Sequence, residues 1–219
     1  MKKYSIFTVA RTGSTLYTNL VAFYYNCVTG NLNTVFWQTG ERADWTYPIQ
    51  HVHSVTVWEQ TPEDFIPVLT TRSTLDSVLS KIIAIKTEFW HLENNATSTE
   101  YQEKFSNSKF TIDMEWFKET VNSTEYLYQE AYNFFNNWSG EKYLLEYNKH
   151  LDPMVFYNTV GITFDTSEIY NQRVLKNSMS IDKFSMVENL SEIINTYKGL
   201  NIRYNFDDDR TIAHAESFL

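Results

Sequence analysis

The stretch Phe7-Thr8-Val9-Ala10-Arg11-Thr12-Gly13-Ser14-Thr15-Leu16 decides how this chain is read. The apolar run from Tyr4 to Ala10 predicts a short buried strand, and Leu16, Leu20, Phe23 and Tyr24 recur at helical spacing after it. Between them lies a turn holding Gly13 and hydroxyl residues. Strand, tight polar turn and helix together aim backbone N–H groups and the positive end of a helix dipole at one spot. That suits an anion such as phosphate or sulfate. Arg11 adds a planar cation, and Ser14 and Thr15 either cap the helix or bond the ligand. The same residues also fit a plain capped helix behind an edge strand.

A second unit of this kind tips the balance. Phe65 to Leu69 is an apolar run ending in Thr70-Thr71-Arg72, followed by Leu75, Val78, Leu79, Ile82, Ile83 and Ile85 at helical spacing. Strand–turn–helix thus occurs twice, at 4–26 and 65–90. This predicts an α/β fold, a central parallel sheet flanked by helices, with ligands collecting at the carboxyl ends of the strands.

Between and beyond these units the chain reads as follows. Residues 27–47 are an irregular segment. The alternation Ile49, His51, His53, Val55, Val57 predicts a half-buried strand over 49–58. The polar stretch 93–112 reads as a loop or lid. Met114, Phe117, Val121, Thr124, Tyr128, Ala131, Phe135 and Trp138 predict one long amphipathic helix whose aromatic stripe belongs to the core. Tyr143 to Tyr147 reads as a buried strand, and Asp152-Pro153 opens a short helix reaching Val160. A last helix is expected over 181–197, and Asp207-Asp208-Asp209 reads as a solvated charge run. With no repeat or boundary in view, a single domain over 1–219 is expected.

Composition sets limits on partners. A net charge of −9 argues against binding a nucleic-acid backbone, though a nucleotide needs only a local cluster of cations and N–H groups. The single cysteine, Cys27, excludes an internal disulfide framework and reads as inert packing among aromatics. No secretory signal or membrane span is expected, and the sequence reads as that of a soluble, cytoplasmic protein. No His, Cys and carboxylate set has metal-ligand spacing, so no metal site is expected. A kinase-type phosphate loop requires a Lys after its final glycine, and none follows Gly13, which disfavours ATP or GTP with magnesium.

Val68-Leu69-Thr70-Thr71-Arg72-Ser73-Thr74-Leu75-Asp76-Ser77-Val78-Leu79-Ser80 resembles the sulfotransferase family, which binds 3′-phosphoadenosine 5′-phosphosulfate (PAPS). In that family an Arg at a strand end and a Ser eight residues later hold the 3′-phosphate. Arg72 and Ser80 have that spacing (80 − 72 = 8). The family's 5′-phosphosulfate loop commonly reads Pro-Arg-Ser/Thr-Gly-Thr/Ser-Thr, against Ala10-Arg11-Thr12-Gly13-Ser14-Thr15 here, with Ala10 in place of Pro. The strand Tyr143–Tyr147 followed by Leu151-Asp152-Pro153 is also similar to the family. Arg173 and Lys176 stand where it often adds basic contacts to the nucleotide.

The resemblance implies a P-loop-like three-layer sandwich that transfers a sulfuryl group from PAPS to an acceptor hydroxyl or amine, leaving 3′-phosphoadenosine 5′-phosphate (PAP). Arg11, Thr12, Gly13, Ser14, Thr15, Arg72, Ser80, Arg173 and Lys176 would hold the donor, and Arg11 would also stabilise developing charge. Glu41 is the first choice for the base, with His51 and His53 next and Glu88 and His91 behind them. Trp37, Trp45, Trp58 and Trp90 either stack on a sugar or frame a phenol or lipid acceptor, or equally belong to the core. The alternatives are a PAP-binding module without catalysis and, less favoured, a nucleotide-dependent phosphotransferase.

Overall fold

The computed structural model describes residues 1–9, 12–31, 33–37, 42–88, 108–163 and 182–219, with backbone alone at Trp37. Five strands are present among them: β1 Lys3–Thr8, β2 Val35–Trp37, β3 Ile49–Val52, β4 Phe65–Thr71 and β5 Tyr143–Glu146. The helices are α1 Ser14–Thr29, α2 Val55–Trp58, α3 Thr74–Thr87, α4 Met114–Asn137, α5 Pro153–Thr159, α6 Leu190–Lys198 and α7 Asp208–Glu216. A 3-10 turn runs over Lys183–Met186. These residues form two compact units, Met1–Arg72 with Tyr126–Val174 and Ser73–Glu125 with Leu175–Leu219.

The first unit holds the sheet, which is parallel throughout in the order β2-β3-β1-β4-β5. β1 and β4 are covered on both faces, which explains why they read as near-continuous apolar runs instead of alternating ones. Tyr4, Ile6 and Thr8 share one face with Ile49, His51, Ile66, Val68 and Thr70. α1 and α5 pack on that side: Tyr157 Oη donates to Leu20 O at 2.6 Å, and Tyr17 stacks on Phe156 with ring centroids 5.4 Å apart. On the opposite face Phe7, Val52 and Leu69 meet Trp58 of α2 and Ala131 and Phe135 of α4. Helix, sheet and helix make a three-layer α/β sandwich.

The second unit is helical. Leu75, Val78, Leu79 and Ile82 of α3 form a core with Phe117 and Val121 of α4, Phe184 and Met186 of the 3-10 turn, Ile193, Ile194 and Tyr197 of α6 and Ala215 of α7.

Four sequence expectations need correction. The strand expected over 49–58 stops at Val52, because the N–H groups of Val57 and Trp58 turn back onto Ser54 O at 3.2 Å each and form α2. The helix expected over 181–197 is interrupted, since Val187 is extended and bridges Phe110. Phe110 N–H donates to Met186 O at 2.8 Å and Glu188 N–H to Phe110 O at 3.0 Å. The run Asp207-Asp208-Asp209 is not uniformly solvated, as Asp208 is 2% exposed. Cys27, expected inside, is exposed on the last turns of α1.

No helix among the described residues is long and apolar enough to cross a membrane. The part of the expected 93–112 loop that spans 93–107 lies outside the described residues.

Candidate functional site

In the sheet, β2 and β3 lie on one side of β1, and β4 and β5 on the other. The chain leaves β1 towards β2 and leaves β4 towards β5, so successive connections diverge between β1 and β4. In open α/β sheets that divergence opens a ligand crevice outside the carboxyl ends of the two strands. The residues there are the turn after β1 and the junction after β4, the same two stretches that carry the sequence motifs.

The end of the turn requires a glycine. Gly13 has φ +84°, and a Cβ there would overlap the edge of the Tyr147 ring, so this position admits no side chain without rearrangement. Thr12 is fully buried, and its Oγ1 lies 2.6 Å from both Thr8 Oγ1 and Thr70 Oγ1. Thr8 also donates to Val9 O at 2.6 Å and Thr70 to Phe7 O at 3.1 Å, which leaves the Thr12 proton to bond one of its two hydroxyl neighbours, and this cluster straps Thr12 to β1 and β4. Gly13 O accepts from the N–H groups of Leu16 (2.9 Å) and Tyr17 (3.3 Å). The N–H groups of Ser14 and Thr15 precede these first helical bonds.

Among the described residues no side chain caps α1, and no acid sits in its first turn. α3 contrasts with it: Ser73 Oγ caps its first turn by accepting from Asp76 N–H at 3.2 Å, and Asp76 adds an acid there. The start of α1 therefore keeps its positive end available to an anion.

Arg72 follows the last residue of β4. Its guanidinium carbon lies 4.2 Å from the centroid of the Tyr147 ring, a cation–π distance. Tyr147, the first residue past β5, donates its N–H to Thr71 O at 2.8 Å, and Tyr17 Oη donates to Tyr147 O at 3.3 Å. The Tyr147 ring thus touches both Gly13 and Arg72 and joins the turn after β1 to the junction after β4. Burial pulls the Arg72 guanidinium below its ordinary value, opposed by the phenols of Tyr147, Tyr128 and Tyr17. Burial pushes the Tyr17 phenol up, with Tyr147 acting in the same direction and Arg72 against it. Arg72 remains a cation at any working pH.

His51, in β3 beside β1, places Nε2 2.7 Å from Ser14 Oγ, with both residues buried. His53 lies beyond the strand end, its ring centroid 4.6 Å from that of His51.

The first unit therefore brings Thr12, Gly13, Ser14, His51 and Arg72 to one edge of the sheet, with half-buried Thr15 on the first turn of α1. Thr12 turns its side chain inward, so only its backbone is placed to meet a ligand. Ser80 belongs to the second unit, where it is 7% exposed on α3. Glu88 is exposed at the end of α3. Arg11, Glu41, His91, Trp90, Arg173 and Lys176 lie outside the described residues, as does the side chain of Trp37. Trp58 is fully buried against Phe7 and belongs to the core, and half-buried Trp45 packs edge-on against Phe65.

Sequence reading missed Tyr147, Tyr128 and Tyr17 as site residues. Tyr147 had one usable signal, its place at the carboxyl end of an expected strand. Among the described residues no three His, Cys, Asp or Glu side chains come together as a metal ion would need. No protein-family model, curated protein or solved structure matches the chain.

Proposed function

We propose that the chain is a PAPS-dependent sulfotransferase acting on a small or glycan-like acceptor. The observation that carries this reading is the meeting of an uncapped helix start at Gly13–Thr15 with the Arg72 guanidinium across the Tyr147 ring, at the divergence point of the sheet. Such a site suits a ligand with two separated anionic groups. PAPS fits that description, and the Arg72 and Ser80 spacing supports it. PAPS brings the activated sulfuryl group, and the residues of the chain bind, orient and move a proton.

The acceptor oxygen attacks sulfur while the bond from sulfur to the 5′-phosphate oxygen breaks in line, giving a sulfate ester and PAP. N–H groups of residues 13–15 stabilise charge on the transferring and leaving oxygens. The acceptor proton passes to a base, for which His51 is the candidate beside the turn. Its Nε2 exchanges the Ser14 hydroxyl for the acceptor. Glu41 is the other candidate.

Calorimetric titration of Arg72→Ala and Ser80→Ala with PAP tests the reading. Each removes a bond to a charged group, worth about 1.5–3 kcal/mol, or roughly 10- to 150-fold in affinity. Unchanged affinity in both folded variants would sink the assignment.

A further inference from the structure

Tyr128 stands apart in the buried stripe of α4. Its neighbours on that stripe are the apolar Phe117, Val121, Ala131 and Phe135, and Thr124, whose hydroxyl bonds its own helix at Thr120 O. Tyr128 is fully buried, yet its hydroxyl is directed at the junction after β4. Its Oη accepts from Arg72 N–H at 3.2 Å and donates to Arg72 O at 2.9 Å, so one phenol satisfies both backbone groups of that residue. A phenylalanine would fill the core equally well, and burying a hydroxyl is costly unless it is bonded. The packing gives no reason for the hydroxyl, and the backbone of Arg72 does.

We infer that Tyr128 is a positioning residue that fixes the backbone of Arg72, so that the guanidinium is aimed at the donor's 3′-phosphate before the donor arrives. The clamp works with two others already described: Tyr147 N–H on Thr71 O, and the Tyr147 ring under the guanidinium. An arginine side chain has many rotamers, and fixing its base and its stem removes part of the ordering cost of binding. The inference rests on the sulfotransferase reading, from which the role of Arg72 comes.

The test compares PAP with adenosine 5′-monophosphate (AMP), which lacks the 3′-phosphate, in wild type and Tyr128→Phe. The variant should bind PAP about 3- to 10-fold more weakly, the effect of one or two lost hydrogen bonds, while AMP affinity stays unchanged. A merely structural role would weaken both ligands alike or neither. An unchanged ratio of PAP to AMP affinity in Tyr128→Phe, when wild type does prefer PAP, overturns this role alone. A wild type that binds PAP no better than AMP overturns the donor reading and this role with it. Hydrogen exchange in the wild type gives an arm independent of any variant's folding. The Arg72 amide should be protected in ligand-free protein, and rapid exchange there would overturn the clamp.

Discussion

Gly13 is held as glycine by two separate constraints, its left-handed backbone and the Tyr147 ring lying where a Cβ would go. Gly30 shares only the first, with φ +67° and nothing within 4 Å of a built Cβ. The pair gives an internal control. Gly30→Ala should cost about 1 kcal/mol of stability, the left-handed penalty alone. Gly13→Ala should cost more, roughly 2–3 kcal/mol, and should also weaken PAP binding by displacing Tyr147 from Arg72. Chemical denaturation and PAP titration of both variants check this; equal costs would contradict the account of Gly13. At this scale the sequence was legible where a residue type is itself a statement, as with a lone glycine between hydroxyls or an arginine after an apolar run. It was silent on what the Tyr128 hydroxyl and the Tyr147 ring do. Periodicity reports that an aromatic is buried, and says nothing of what its hydroxyl or ring face meets.

Among the elements, the helix that begins at Asp208 departs most from expectation. Three consecutive acids read as a charged tail, but Asp208 Oδ1 accepts from Ser73 Oγ at 2.5 Å and Leu75 N–H at 3.4 Å, and Oδ2 accepts from Tyr197 Oη at 2.7 Å. Within the second unit this carboxylate anchors the start of α3. Asp208→Ala should destabilise the protein by about 1–3 kcal/mol, because buried donors lose their acceptor. The dependence on pH has an unusual sign. Burial raises Asp208 above the ordinary value near 3.8, against the lowering by its hydrogen bonds. Its contribution is therefore largest below 3.8 and falls as pH rises through its folded-state value. The stability gap between wild type and Asp208→Asn should accordingly widen as pH is lowered from 7 towards 4. A gap that narrows would contradict the burial of this group. The other element-scale misses have a shared cause: local pattern cannot see a tertiary partner. The Val55, Val57 alternation continued a strand rhythm into α2, and the pairing of Val187 with Phe110 broke a helix whose spacing was otherwise sound.

For the whole molecule, the paired strand–turn–helix units made the parallel α/β class legible, since apolar strands that alternate with amphipathic helices admit few other arrangements. The strand order was not legible, and it carries the functional argument, because the order puts the two motif-bearing turns at adjacent strand ends. Nor did the net charge of −9 reveal the site, since it averages over the whole chain. The proposed anion site rests instead on local features, a helix start free of acids and the Arg72 guanidinium. The most direct test of the central claim is a thermal-shift titration of the wild-type protein with PAP, set against ATP with magnesium and against sulfate. A ligand that binds only the folded state adds about 2.7 kcal/mol at a hundred times its dissociation constant, enough for a shift of several degrees. The account predicts such a shift with PAP, a smaller one or none with the other two, and its loss in Arg72→Ala. No shift with PAP, or a shift matched by ATP with magnesium, would contradict it.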